Sequence, residues 1–110
     1  MNKPTVVCLC GSTRFSQAFR DANLKETLDG KIVLSIGCDM RSDADIFGGL
    51  PEDELAEIKK RLDELHLRKI DLADEVLILN LGNYIGESTR RELNYAQKTG
   101  KRIRYLEPAK

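Results

Sequence analysis

Apolar and polar positions switch between two periods along this chain. Thr5 to Cys10, Thr-Val-Val-Cys-Leu-Cys, is a short β-rich apolar run closed by Gly11-Ser12-Thr13, which predicts a strand and a turn. Phe15, Ala18, Phe19 and Ala22 then recur at helical spacing, so a helix is expected from Phe15 to Leu28, with Gly30 as its stop. Lys31 to Gly37 reads as a second strand. Cys38 to Leu50 is polar and acidic with two glycines, a loop longer than most connections of its kind and so a candidate lid or binding loop. Pro51 suits the first position of a second helix, and Glu52, Asp53 and Glu54 favour its dipole. Leu55, Ile58, Leu62 and Leu65 form its stripe and carry it to about Leu72. Glu75 to Leu81 is the third strand, broken by Gly82 and Gly86. Ser88 and Thr89 open a third helix running to Thr99, where Thr89-Arg90-Arg91-Glu92 has the form of a capping box. Gly100 stops it, Lys101 to Leu106 is the fourth strand, and Glu107-Pro108 ends the fold.

This β-α-β-α-β-α-β order implies an α/β fold with a parallel sheet, right-handed crossovers and helices on both faces. Strands one and three are the most continuously apolar, which places them centrally in the order 2-1-3-4. The topological switch point then lies between them. The loops leaving their C-terminal ends, Gly11 to Arg14 and Gly82 to Thr89, are where such sheets bind ligands. The chain shows no internal repeat, linker or low-complexity segment, so residues 1–110 are expected to form one domain.

Composition narrows the function classes. The 110 residues suffice for one core, and 41% hydrophobic with 33% charged residues describes an ordinary globular chain. Formal net charge is zero, with both signs interspersed, so no basic footprint for nucleic acid is present. No apolar run nears the ~20 residues of a membrane helix, and Met-Asn-Lys-Pro does not open a signal peptide. Three cysteines, an odd number, argue against a disulfide framework and for a reducing cytoplasm.

Three segments carry a resemblance. Cys10-Gly11-Ser12-Thr13-Arg14, Ile70-Asp71-Leu72-Ala73-Asp74-Glu75-Val76, and Glu92-Leu93-Asn94-Tyr95-Ala96 followed by Gly100-Lys101 resemble the nucleoside 2'-deoxyribosyltransferase superfamily. That superfamily includes hydrolases that cut the N-glycosidic bond of nucleoside 5'-monophosphates. The resemblance runs over nearly the whole chain. It implies a flavodoxin-like three-layer fold and a glutamate nucleophile attacking the anomeric carbon, here Glu92. It also implies that Gly11, Ser12, Arg14, Ser88 and Thr89 hold the sugar or 5'-phosphate of a nucleoside or nucleotide, and that the chain works as a homo-oligomer. His66 stands where the family usually carries an aspartate, eight residues before Asp74, that positions the nucleophile or protonates the base. The chain is also shorter than typical members and lacks their C-terminal strand and tail.

Each candidate has a plainer reading. Glu92 is either the nucleophile or the carboxylate that closes a capping box with Thr89, and the two roles compete for one side chain. Glu87 is a rival carboxylate or a solvated turn residue. His66 is the site's acid or base, with an ordinary pKa near 6.5, or half-buried packing. Ser12, Thr13 and Arg14 bind phosphate, or cap the first helix and face solvent. Asp39, Asp43 and Asp45 hold sugar hydroxyls or are merely solvated; they lack the spacing of a calcium loop. Asn80, Asn83 and Tyr84 are candidate ribose or base contacts, Tyr84 by stacking or as a cover, and Gly86 gives their loop its turn. Cys8 and Cys10 share one strand face and read as core, since Cys-x-Cys without histidine at ligand spacing is poor evidence for zinc. The chemistry needs no metal or organic cofactor. Glycosidic cleavage or transfer is therefore expected; the alternatives are a non-catalytic nucleotide-binding module on the same fold, and an enzyme that cleaves NAD.

Overall fold

The computed structural model of the chain describes residues 3–36 and 48–108. Four strands, β1 (Val6–Cys10), β2 (Ile32–Leu34), β3 (Glu75–Ile78) and β4 (Arg102–Tyr105), form one parallel sheet in the order β2-β1-β3-β4. The helices α1 (Ser16–Leu28), α2 (Glu52–Leu72) and α3 (Glu87–Lys98) alternate with them. This is the α/β order of a flavodoxin-like sheet. It follows the apolar ranking of the strands: β1 and β3 are buried at every position and lie in the middle, while β2 and β4 are partly exposed at the edges. β2 is shorter than the Lys31 to Gly37 run, and β3 gives way after Ile78 to a 3-10 turn at Leu81–Asn83. Gly37, Cys38, Asp39, Asp43 and Asp45 lie outside the described residues.

The pleat sorts the core into two layers. Val6, Cys8, Cys10, Val76 and Ile78 face α2 and α3, where Ile70, Ala73, Leu93 and Ala96 meet them. Val7, Leu9, Leu77 and Leu79 face α1, against Phe19 and Ala22. α1 and α3 end alike. Gly30 (φ 86°) and Gly100 (φ 77°) take the left-handed conformation, and Lys31 and Lys101 return their N–H groups to Glu26 and Ala96.

The stripe of α2 departs from expectation. Leu65 is half exposed, and the inward position one residue on is taken by His66, followed by Ile70. Continuing by four residues rather than three keeps a helix of 21 residues near its 3.6 period. Pro51 flanks the helix as N-cap rather than occupying its first position.

Polar side chains fasten strand ends where the ladder alone would leave backbone groups open. Asp74 Oδ2 accepts the Val6 N–H at 2.8 Å, and the Asp74 N–H donates to the Val6 carbonyl. Lys101 Nζ donates to the carbonyls of Asp71 and Ala73 at the end of α2. On the α1 face, Glu26 and Glu75 are buried and share Arg104 and Lys31. Burial alone would raise the Glu26 carboxyl, but hydrogen bonds from Arg104 and Lys31 outweigh it and hold the group below its ordinary 4.5.

A depressed carboxylate stabilises the fold above its unfolded value, and that contribution is lost as pH falls through the folded one. The Tm of the parent should therefore fall more steeply below about pH 4.5 than that of Glu26→Gln. At pH 7 the substitution should cost about 1–3 kcal/mol in a denaturant melt. Identical pH profiles for the two proteins would mean that the cluster adds nothing.

Candidate functional site

The parallel pairing of β1 with β3 brings their exit loops to one end of the sheet, with Cys10 opposite Ile78. The chain leaves β1 through Gly11, which passes so close to Leu79 that an added Cβ would sit 3.0 Å from Leu79 Cβ. Close approach, not a special φ, is what calls for glycine here. Ser12 Oγ accepts the Arg14 N–H at 3.3 Å, and the Ser12 carbonyl accepts the Phe15 N–H at 3.0 Å, so Ser12 shapes the turn. It does not cap α1, whose N-cap is Phe15 without a side-chain bond. Thr13 and Arg14 stand exposed beside it.

The second loop reaches the first. The Arg14 guanidinium lies 4.3 Å from the centre of the Tyr84 ring, and Phe15 meets that ring edge-on at 5.9 Å. An added Cβ on Gly86 would sit 3.2 Å from the Tyr84 hydroxyl, so glycine makes room for the ring. Tyr84 thus covers the junction of the two loops.

Glu92 is not in a capping box. α3 begins at Glu87 with an extended Gly86 as N-cap, which places Thr89 two residues inside the helix, buried, and Glu92 almost a further turn along. The Thr-x-x-Glu pattern falls inside the helix because Gly86, preceding Glu87, supplies the break first. Released from that role, Glu92 Oε1 lies 3.8 Å from His66 Nε2, with side-chain exposures of 14% and 6%. Cys10, which precedes Gly11 in the chain, lies near enough to Glu92 for each to shift the other's titration, and it ties this pair to the loop.

Two thiols complete the cluster. Cys10 Sγ and Cys8 Sγ lie 3.4 and 3.6 Å from His66 Nε2. Four titratable groups thus converge from β1, α2 and α3 beneath the switch point. Burial raises the Glu92 carboxyl, with the His66 charge opposing. Burial would lower His66, but the hydrogen bond with Cys8 and the charges of Glu92 and Cys8 prevail and raise it. The hydrogen bond from Cys10 brings the Cys8 thiol down to about 6, and Cys10 moves up in return. The arrangement can share a proton between imidazole and carboxylate, and it presents a carboxylate in a partly desolvated setting.

Other predicted residues are used elsewhere. The Asn80 amide donates to the Glu107 carbonyl and accepts the Glu107 N–H, both at 2.9 Å, so it clips the end of β4 to the β3 exit. Asn83 takes a positive φ of 62° in the turn and accepts from Asn80 at 3.5 Å. Ser88 Oγ accepts from Arg91, and Glu87 is an exposed residue of the first turn of α3. Asp71 accepts the Tyr95 hydroxyl at 2.6 Å on the exposed side of α2 and α3. A groove of about 330 Å³ between α1 and β4, lined in part by Gln17, Asp21, Leu77 and Leu106, opens on the sheet face opposite His66 and Glu92.

Sequence reasoning singles out Glu92 and His66 as candidates and leaves Cys8 and Cys10 in the core. Their shared strand face was visible; the histidine 58 residues beyond Cys8 was not at any local spacing.

His66 is the single histidine of the chain, so its ring protons report the cluster without assignment ambiguity. In a proton NMR titration its pKa should lie above 6.5 and fall in Glu92→Gln, which removes one of the charges that raise it. A histidine raised on folding stabilises the fold fully below the unfolded 6.5, and that stability is lost as pH rises through the folded value. The Tm should accordingly drop above that pH, by less in Glu92→Gln. An unchanged His66 titration in the variant would contradict the pairing.

Among the described residues, no helix is long and apolar enough to cross a membrane. Compared with known proteins, the chain matches no family model, and no curated protein matches it.

Proposed function

We propose that the chain breaks the N-glycosidic bond of a nucleoside or nucleoside 5'-monophosphate, with Glu92 as nucleophile. The observation that carries this reading is the placement of Glu92: half-buried, free of the capping role, 3.8 Å from His66 and adjacent to Cys10 at the switch point. A Glu92 oxygen bonds to the anomeric carbon as the carbon–nitrogen bond breaks, and the leaving base takes up a proton. Water, or an acceptor hydroxyl, then releases the sugar from the glycosyl ester. His66 is the imidazole beside Glu92, raised above its ordinary 6.5, and it stands where the resembled family carries the aspartate that positions the nucleophile or protonates the base. The Gly11–Arg14 turn offers backbone N–H groups and a guanidinium for a 5'-phosphate, and Tyr84 offers a ring for the base. Gly86 supports that ring; Ser88 and Thr89 belong to the α3 first turn, and Thr89, being buried, acts through packing. The working form on this reading is a cytoplasmic homo-oligomer.

The rival is a nucleotide-binding module on the same crevice. It is favoured by the low exposure of Glu92 and its engagement with His66, which hold the acid back from a ligand.

The test is release of free base from a panel of nucleosides, their 5'-monophosphates and NAD. Glu92→Gln should lower release by about a thousandfold or more while shifting Tm by no more than about 5 °C. Undiminished release in the variant would eliminate the glutamate mechanism. Heat of binding for a monophosphate with no release on long incubation would favour the module.

A further inference from the structure

We propose that Cys8, Cys10, His66 and Glu92 form a closed binding site for a thiophilic divalent ion, zinc by chemical preference. The proposal is independent of the glycosidic reading, because it stands on the donor set and its geometry. The two sulfurs and the imidazole nitrogen lie within 4.8 Å of one another, and all three residues are buried. Zinc takes sulfur at ~2.3 Å and imidazole nitrogen at ~2.0–2.1 Å, so a tetrahedral ion separates the two by about 3.6 Å. The observed separations are 3.4 and 3.6 Å. Thiol–imidazole hydrogen bonds hold these same separations, so the donors are already spaced for the ion.

The donors are also of the right kind. Two thiolates and an imidazole select zinc or cobalt over magnesium or calcium, which take oxygen. Glu92 supplies the fourth position. Its Oε1 is 3.8 Å from Nε2, about half an ångström more than a tetrahedral edge between nitrogen and oxygen requires, within reach of a carboxylate rotation. β1 presents both cysteines on one face, and α2 and α3 bring the other two donors from above, so the layers meet at the ion.

Binding balances simply. The ion takes the place of the thiol protons, which pass to solvent, and His66 coordinates through neutral Nε2. Two thiolates and one carboxylate around a divalent ion leave one net negative charge in a nearly dry pocket. The metal-loaded chain would hold Glu92 as a ligand, so loading and nucleophilic attack exclude each other.

The experiment uses the full chain with Cys38→Ser, which leaves Cys8 and Cys10 as its cysteines. Cobalt(II) is titrated in, then displaced by zinc. The expected result is saturation at one equivalent, with the visible envelope of tetrahedral cobalt and a near-ultraviolet thiolate-to-cobalt band, both abolished by zinc. His66→Ala and Cys10→Ser should each weaken binding by about a hundredfold or more, and Glu92→Gln should alter the visible envelope while keeping the thiolate band. Absence of the thiolate band in the folded Cys38→Ser protein, or its survival at undiminished intensity and affinity in Cys10→Ser, would overturn the site. Where a substitution unfolds the chain, X-ray absorption on the zinc-loaded Cys38→Ser protein decides. Two sulfur and two lighter scatterers uphold the site; an all-oxygen shell, or more than two sulfurs, overturns it.

Discussion

The parallel pairing of β1 with β3 is the constraint on which the rest of the molecule depends. Both strands are buried along their whole length, so their backbone groups must be met by neighbouring strands or by side chains. The ladder meets most of them, and Asp74 and Asn80 close its two ends at Val6 and Glu107. Because the strands are parallel, everything that leaves them leaves from one edge of the sheet. The Gly11 turn and the Tyr84 loop are therefore brought together by topology, and the contact of Arg14 and Phe15 with Tyr84 is a consequence of it. The same register puts Cys10 at the end of β1, directly under the loops.

Helix packing then decides what sits beneath that edge. α2 and α3 cover one face and α1 the other, so the two layers have different chemistry. The α1 side holds an ion cluster in which carboxylates and cations are matched around Glu26 and Glu75. The α2–α3 side holds two thiols, an imidazole and a carboxylate, and among the described residues no Arg or Lys is seen in a hydrogen bond or ion pair with them. Lys69, whose charge acts on Cys8 and His66 through space, donates its ammonium to the Ser35 carbonyl at 2.6 Å. Burial is what raises Glu92 in that layer, whereas His66 is raised against its burial by the hydrogen bond with Cys8 and the charges of Glu92 and Cys8.

Much of this was legible in the sequence, for identifiable reasons. Strand order followed from how continuously apolar each run is, and the helix stops at Gly30 and Gly100 from the left-handed conformation a Schellman ending requires. The switch-point loops followed from the order. What was misread depended on phase. Thr-x-x-Glu is a capping pattern only where the break precedes it, and here the break is Gly86, so Thr89 is interior. A stripe read as Leu55, Ile58, Leu62, Leu65 ends one residue early, because nothing in four apolar residues shows that a histidine continues it. Asn80 is a candidate ribose or base contact from the sequence; in the fold it is buried and bonded to the backbone 27 residues on, a partner no local pattern indicates. The thiol cluster is a long-range meeting of three elements, and sequence spacing carries no trace of it.

Energetics weigh against a purely structural account of that cluster. A core layer of this size is made stable by apolar side chains, and replacing buried polar or ionic groups with well-packed hydrophobic ones is often neutral or stabilising by about 1–4 kcal/mol. Here the neighbours on the same face, Val6, Val76, Ile78, Ile70 and Leu93, already follow that rule. Four ionisable groups at its centre forgo such stabilisation and require a mutual hydrogen-bond arrangement to be tolerated at all. The fold has no geometric need for them, since valine suits a central strand and leucine a helix stripe. Their convergence beneath the switch-point loops is therefore an argument for chemistry, and both proposals draw on the same fact: a carboxylate and an imidazole largely kept out of water at the C-terminal edge of the sheet.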